Sequence, residues 1–228
     1  MQKLNYFMLA TLLSSLGIIQ SNAQDWPDLS RFQEANAQVE VPAEDENRVV
    51  FMGNSITIGW LNNRPGFFEG KPYINRGISG QTTPQMLIRF RQDVIDLQPK
   101  VVVILAGTND IAGNTGPSTL DMIVDNIKGM AEMAQANGIK VILCSTLPAY
   151  DYPWKPGLEP APKIIALNKM IKNYCDEKGH IYLDYFSAMA DERNGLPKKY
   201  ADDEVHPTVE GYMVMEPMVE AAIAEALK

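Results

Sequence analysis

Five short apolar runs, with segments of helical periodicity between them, set the narrowest limit on how this chain folds. The runs are 48–52, 73–75, 101–105, 141–144 and 181–183. One intervening set is Met86, Leu87, Phe90, Val94 and Leu97. A second is Leu120, Ile123, Val124, Ile127 and Met130, and a third is Ile164, Leu167, Asn168, Ile171 and Tyr174. Asn137-Gly138 and Lys178-Gly179 are helix stops before the next strand. Residues 208–227 read as a last helix disturbed by Pro217, with Met213, Met215 and Met218 expected in the core. Strands alternating with helices imply a parallel sheet covered on both faces, with right-handed crossovers. Such sheets bind ligands at the carboxyl ends of their strands. A chain of 228 residues fits one domain with a substantial core.

The chemistry concentrates at such strand ends. Ser55 follows the first apolar run in Gly53-Asn54-Ser55. One of only two histidines, His206, lies in Asp203-Glu204-Val205-His206-Pro207. Serine is a poor nucleophile near neutral pH unless a base within hydrogen-bond reach takes its proton and a third group fixes that base. A spacing of three puts Asp203 and His206 on one side of a tight turn. Asp203 is then expected to hold one ring nitrogen while the other faces Ser55. Acyl transfer also needs donors aimed at the oxyanion. The N–H groups of Gly80 and Ser55 and the Asn109 amide are candidates, since Gly80 and Asn109 follow the second and third runs.

Four segments in order, GNS at 53–55, GISG at 77–80, GTND at 107–110 and DEVHP at 203–207, resemble the blocks of the SGNH hydrolases, also called GDSL esterases/lipases. The resemblance spans roughly residues 48–225. It implies a three-layer α/β/α, flavodoxin-like parallel five-stranded sheet. It also implies Ser55 as nucleophile, Asp203 and His206 as its base pair, and Gly80 and Asn109 as oxyanion donors. Its members usually have Asp before the nucleophile, where this chain has Asn54. That position supports a loop, and Asn carries both a donor and an acceptor with which to do so. Asp110 is expected to brace the loop of Asn109 or cap the next helix.

Residues 1–23 read as a secretory signal, with Lys3 ahead of an apolar stretch and Ser21-Asn22-Ala23 as a cleavage site before Gln24. Export to the periplasm or the medium is expected. So is a mature chain of an N-terminal arm, 24–47, with a short helix around 28–37, followed by a hydrolase domain, 48–228. The apolar stretch is too short and interrupted to favour a membrane span. No stable membrane insertion is expected once it is removed. The formal charge of −8 without a basic cluster argues against nucleic acid and anionic membrane partners. Cys144 and Cys175 read as two buried free thiols rather than a bridge. No metal-ligand spacing is present, and neither a metal nor a cofactor is expected.

Each candidate has a plainer alternative. Ser55 suits a helix N-cap, His206 a solvated loop, and His180 a structural junction. Tyr152 and Trp154, in a proline-rich aromatic loop after the fourth run, are expected at the rim, either stacking on a sugar or pinning the loop. Trp60 is expected to pack. The leading expectation is a serine esterase acting on short-chain, acetyl esters of carbohydrates. A lysophospholipase or acyl thioesterase is the alternative within the class. Outside it stands a flavin-binding protein whose Asn54-Ser55-Ile56-Thr57 loop holds a phosphate at a helix N-terminus.

Overall fold

A computed structural model describes residues 25–228. The expected signal, 1–23, lies outside the described residues. Strands β1 (Val49–Gly53), β2 (Tyr73–Gly77), β3 (Val101–Leu105), β4 (Lys140–Cys144) and β5 (Ile181–Leu183) form one sheet in the order β2-β1-β3-β4-β5. All four pairings are parallel. The expected three-layer α/β fold is the fold observed.

Every residue of β1 and β3 is buried. That follows from their central place in a parallel sheet with helices on both faces, and it explains the near-continuous apolar runs. Side chains still alternate between faces. Val50, Met52, Val102 and Ile104 join one core with helices α4 (Thr83–Asp93), α6 (Leu120–Ala136) and α7 (Pro160–Lys178). Val49, Phe51, Val101, Val103 and Leu105 join the other, with α2 (Ser55–Asn63), α3 (Pro65–Phe68), α8 (Tyr185–Met189) and α9 (Val209–Ala226). Trp60 packs there, stacked on Phe67 and Tyr212 with centroids 5.0 and 5.5 Å away.

β1 and β2 run one and two residues further than expected, to Gly53 and Gly77, which are paired in register. Glycine reads as a turn in sequence, but here it permits close approach. A Cβ on Gly77 would lie 2.3 Å from the Ile58 amide nitrogen of α2. The first helical set also spans two elements. α4 ends at Asp93, and Leu97 closes a 3₁₀ turn, Ile95–Leu97, that follows Val94. α9 continues through Pro217. Of its three methionines Met215 is a core residue and Met218, partly buried, packs against the same core; Met213 is exposed, because it faces away from the sheet. Cys144 and Cys175 are free and buried, as expected.

The first part of the segment 25–47, through Asn36, lies against α4, and Glu44 and Asn47 accept from Lys100 just ahead of β3. The segment's one helix, α1 (Gln33–Ala37), is shorter than expected. Gln81, Gln85 and Gln92 donate to the carbonyls of Pro27, Trp26 and Leu29 at 2.6–2.7 Å. Asn36 donates to Asp93 at 2.7 Å, and the Arg76 guanidinium sits 4.8 Å from the centre of the Phe32 ring.

Candidate active site

Ser55 begins α2 directly after β1. Its plainer reading, as an N-cap, is filled by the residue before it. Asn54 has non-helical angles (φ −112°, ψ −146°), and its Oδ1 accepts from the Ile56 amide at 3.0 Å. A cap needs only an oxygen acceptor, which Asn supplies as well as Asp. The Ser55 hydroxyl is thereby left free of the helix end. It lies 2.9 Å from Nε2 of His206.

His206 sits in the loop before α9, and Asp203 organises that loop. One carboxylate oxygen accepts from the amides of Val205 (3.0 Å) and His206 (2.7 Å). The other lies 2.7 Å from His206 Nδ1. Glu204 between them takes a left-handed turn, φ 62°. Burial alone would raise the Asp203 pKa, but the imidazole and the two amides outweigh it and hold the carboxyl below its ordinary value. An ionised Asp203 places the proton on Nδ1 and turns the Nε2 lone pair to Ser55.

Tyr212 joins the two loops, and sequence reasoning missed it. Its hydroxyl donates to the Ile56 carbonyl at 2.8 Å, and its ring stacks on Trp60. Thr208, the cap of α9, donates its amide to Tyr200 O at 2.7 Å. These contacts set the base loop against the start of α2. Tyr212 was visible only as an apolar position of the last helix.

Gly80 and Asn109 lie at the same sheet edge. Gly80 has φ +77°, where a side chain is strained, and its carbonyl accepts from Asn114 Nδ2 at 3.1 Å. The amides of Ser55 and Gly80 donate to no partner among the described residues. Asn109, in α5 (Thr108–Ile111), gives one amide hydrogen to Gln81 O at 2.9 Å, which leaves the second for a ligand. Asp110 braces the loop of Asn109 by tying it to the first turn of α4, accepting from the Thr83 amide at 3.0 Å and the Thr83 hydroxyl at 2.6 Å. Burial pushes its carboxyl up to about 6 against the pull of those bonds.

Tyr152 lies beneath the rim, at the base of the cleft beside it, rather than on the surface. Its side chain is fully buried, with the hydroxyl donating to Thr108 O at 3.0 Å. The ring serves as a platform for Trp154, stacked at 5.1 Å. Trp154 does stand at the rim, half-exposed, with its ring centre 5.9 Å from that of His206. A cleft of about 290 Å³ adjoins it, and Tyr152, Pro153, Lys198, Asp202 and Asp203 are among the residues that line it. His180 stands at the opposite sheet edge, against Tyr174 at 5.6 Å, and burial lowers its pKa. Burial raises both thiols, Cys175 to about 12 and Cys144 further, so neither is a thiolate near neutral pH. Among the described residues no three metal-ligating side chains cluster, and no helix is long and apolar enough to cross a membrane.

A hydroxyl, an imidazole and a carboxylate in series, beside unpaired amides, can generate an oxygen nucleophile and receive an oxyanion. Known proteins agree with that chemistry. The model of the GDSL-like Lipase/Acylhydrolase family matches residues 51–214. A Bacteroides fragilis structure assigned to the acylhydrolases is 49% identical, with a TM-score of 0.87 over 89% of this chain and 99% of that one. A GDSL-like lipase from Bacteroides thetaiotaomicron is 48% identical, with a TM-score of 0.86 over 88% and 98%. An acetylxylan esterase of Xylanibacter ruminicola is 26% identical over 81% of this chain and 45% of its own. The chain spans less than half the length of the curated relatives it matches.

Asp110 yields a signed prediction. Its folded pKa lies above the unfolded value of about 3.9. Its contribution to stability is therefore complete below about pH 4 and lost as pH rises through about 6. In denaturant titrations across this window, Asp110→Asn should remove that fall. Identical pH dependence in the two proteins would show that Asp110 titrates normally.

Proposed function

The chain belongs to the GDSL-like lipase/acylhydrolase family, and on that premise we propose that it is a carboxylic ester hydrolase with Ser55 as nucleophile. The observation that carries this reading is the run of contacts from Ser55 Oγ to His206 Nε2 (2.9 Å) and from Nδ1 to Asp203 (2.7 Å). Ser55 Oγ attacks the ester carbonyl carbon as His206 Nε2 takes its proton. Negative charge grows on the carbonyl oxygen and is met by the N–H groups of Ser55 and Gly80 and the free amide hydrogen of Asn109. The C–O bond to the alcohol breaks, and His206 returns its proton to the leaving oxygen. Water, activated by the same imidazole, then cleaves the acyl-serine. Asp203 holds the imidazole and stays ionised throughout.

The substrates proposed are acetyl esters of carbohydrates. Trp154 offers a half-exposed aromatic face next to His206, suited to a sugar ring, and the adjoining cleft mixes prolines with charged groups, Asp151, Lys198 and Asp202, able to bind sugar hydroxyls. The relationship to an acetylxylan esterase points the same way. A lysophospholipase or thioesterase would gain about 0.8 kcal/mol for each methylene buried in an apolar groove. The flavin reading has less support, since Thr57 is buried and the Ser55 hydroxyl already faces His206. Export is part of the proposal, and a mature form retaining residues 1–23 on intact mass measurement would remove it.

Two outcomes test this reading. Ser55→Ala and His206→Ala should each lower kcat by roughly 10⁴ to 10⁶ with folding intact, and the double variant should lose little more. Normal turnover by folded Ser55→Ala would end it. kcat/KM for acetyl esters should exceed that for octanoyl esters by about tenfold or more, a gap of roughly 1.4 kcal/mol. Trp154→Ala should harm an acetylated oligosaccharide more than p-nitrophenyl acetate. Better turnover of octanoyl esters would replace the carbohydrate substrate with a lipid or thioester.

A further inference from the structure

We infer that the N-terminal arm, residues 25–38, is a positioning element of the oxyanion hole and acts through Gln81. The inference rests on the ester-hydrolase reading of the site, and it concerns a segment that lies before residue 51, where the family match begins. Gln81 directly follows Gly80 and is 3% exposed. Three of its groups are held at once. Its Nε2 donates to Pro27 O of the arm at 2.7 Å. Its Oε1 accepts from Arg89 Nε at 2.5 Å. Its main-chain carbonyl accepts from Asn109 Nδ2 at 2.9 Å. Gln81 thus adjoins one oxyanion donor in the chain and orients the other by a hydrogen bond. A buried carboxamide with both ends satisfied has one orientation, because turning it strands two polar groups.

The arm itself is held firmly. Asp25 closes its first turn by accepting from the amides of Leu29 and Ser30. Asn36 donates to Asp93 Oδ1 at 2.7 Å, and the other oxygen of that carboxylate binds Arg89 Nη1 at 2.9 Å. Pro27, Gln81, Arg89, Asp93 and Asn36 therefore form a ring of contacts closed by the arm's own backbone. Loosening the arm at either end frees Gln81 to turn, and with it the carbonyl that aims Asn109. An arm that merely covered apolar surface would not need to accept a hydrogen bond from a buried amide of the loop after Gly80.

The test uses the full chain with Gln81→Met, Asn36→Ala and the pair together. Active sites are counted with a phosphonate that labels the nucleophile. Turnover is followed with p-nitrophenyl acetate and inhibition with a boronic acid, which forms a tetrahedral adduct on serine. Each single variant should lose about tenfold or more in kcat per active site, with KM within about twofold. The boronate Ki should rise by the same factor as kcat falls, because both report the tetrahedral state. The pair should lose no more than about the larger single effect, since both break one ring. Should Gln81→Met fail to fold, Asn36→Ala, a change on the surface arm, decides alone. A lower Tm with kcat per site and boronate Ki unchanged would overturn the inference, leaving the arm a structural cover. Loss of activity in Ser55→Ala beside unchanged kinetics in Asn36→Ala would overturn it while the site reading stands. Full activity in Ser55→Ala would overturn both.

Discussion

The guanidinium of Arg89 is the contact on which the site edge depends. It is wholly buried, and it binds groups from the first two strands, the loop after Gly80 and its own helix. Nη2 donates to carbonyls at the ends of the first two strands, Gly53 O at 3.1 Å and Arg76 O, one residue before the end of β2, at 2.9 Å. Nε binds Gln81, and Nη1 binds Asp93, also fully buried. Burial pushes the Arg89 pKa down, and Asp93 opposes that fall. A buried ion pair of this kind adds little net stability, but removing one partner costs about 3–5 kcal/mol by stranding the other. Its consequence here is geometric: the ends of β1 and β2 and the loop beyond Gly80 become one rigid body.

The remaining groups are placed from that body outward. Asn54 caps α2 and releases the Ser55 hydroxyl. Tyr212 ties α9 to the first turn of α2, which fixes where the His206 loop must lie. Asp110 caps α4 from the Asn109 segment, so the two halves of the proposed oxyanion hole are linked by hydrogen bonds on both sides. Asn168 does the same for the loop after β4, pairing both its amide ends with Thr146. The site is therefore built from short loops that are each pinned by one buried polar side chain, in keeping with preorganised electrostatics.

The sheet was legible because parallel strands buried on both faces leave unbroken apolar runs, and 101–105 and 181–183 matched to the residue. The four loop blocks were legible because their residue types are those the chemistry needs. What sequence could not display were pairings between distant residues. Tyr152 looked like a rim aromatic because it sits among prolines, yet its hydroxyl finds Thr108, 44 residues away. The brace that Asp110 gives the Asn109 loop likewise reaches Thr83, 27 residues away. Sequence reasoning missed Arg89 and Asp93 altogether. One signal did exist: Arg89 lies on the stripe of Met86 and Phe90, with an acid four residues on, which is the pattern of a buried pair on a core-facing helix. The core reading of the last helix's methionines failed only at Met213, which lies on the helix face turned away from the sheet.

Covalent labelling reaches the central claim most directly. The account holds that the hydroxyl at the start of α2 is the group activated by His206. Incubation with p-nitrophenyl diethyl phosphate, followed by peptide mass mapping, should place a single diethylphosphoryl group on Ser55, with release of p-nitrophenol in equal amount and loss of esterase activity in step. His206→Ala should slow the labelling without moving it, because only the base has been removed. An adduct on another residue, or lost activity with Ser55 unmodified, would contradict the account and move the nucleophile elsewhere.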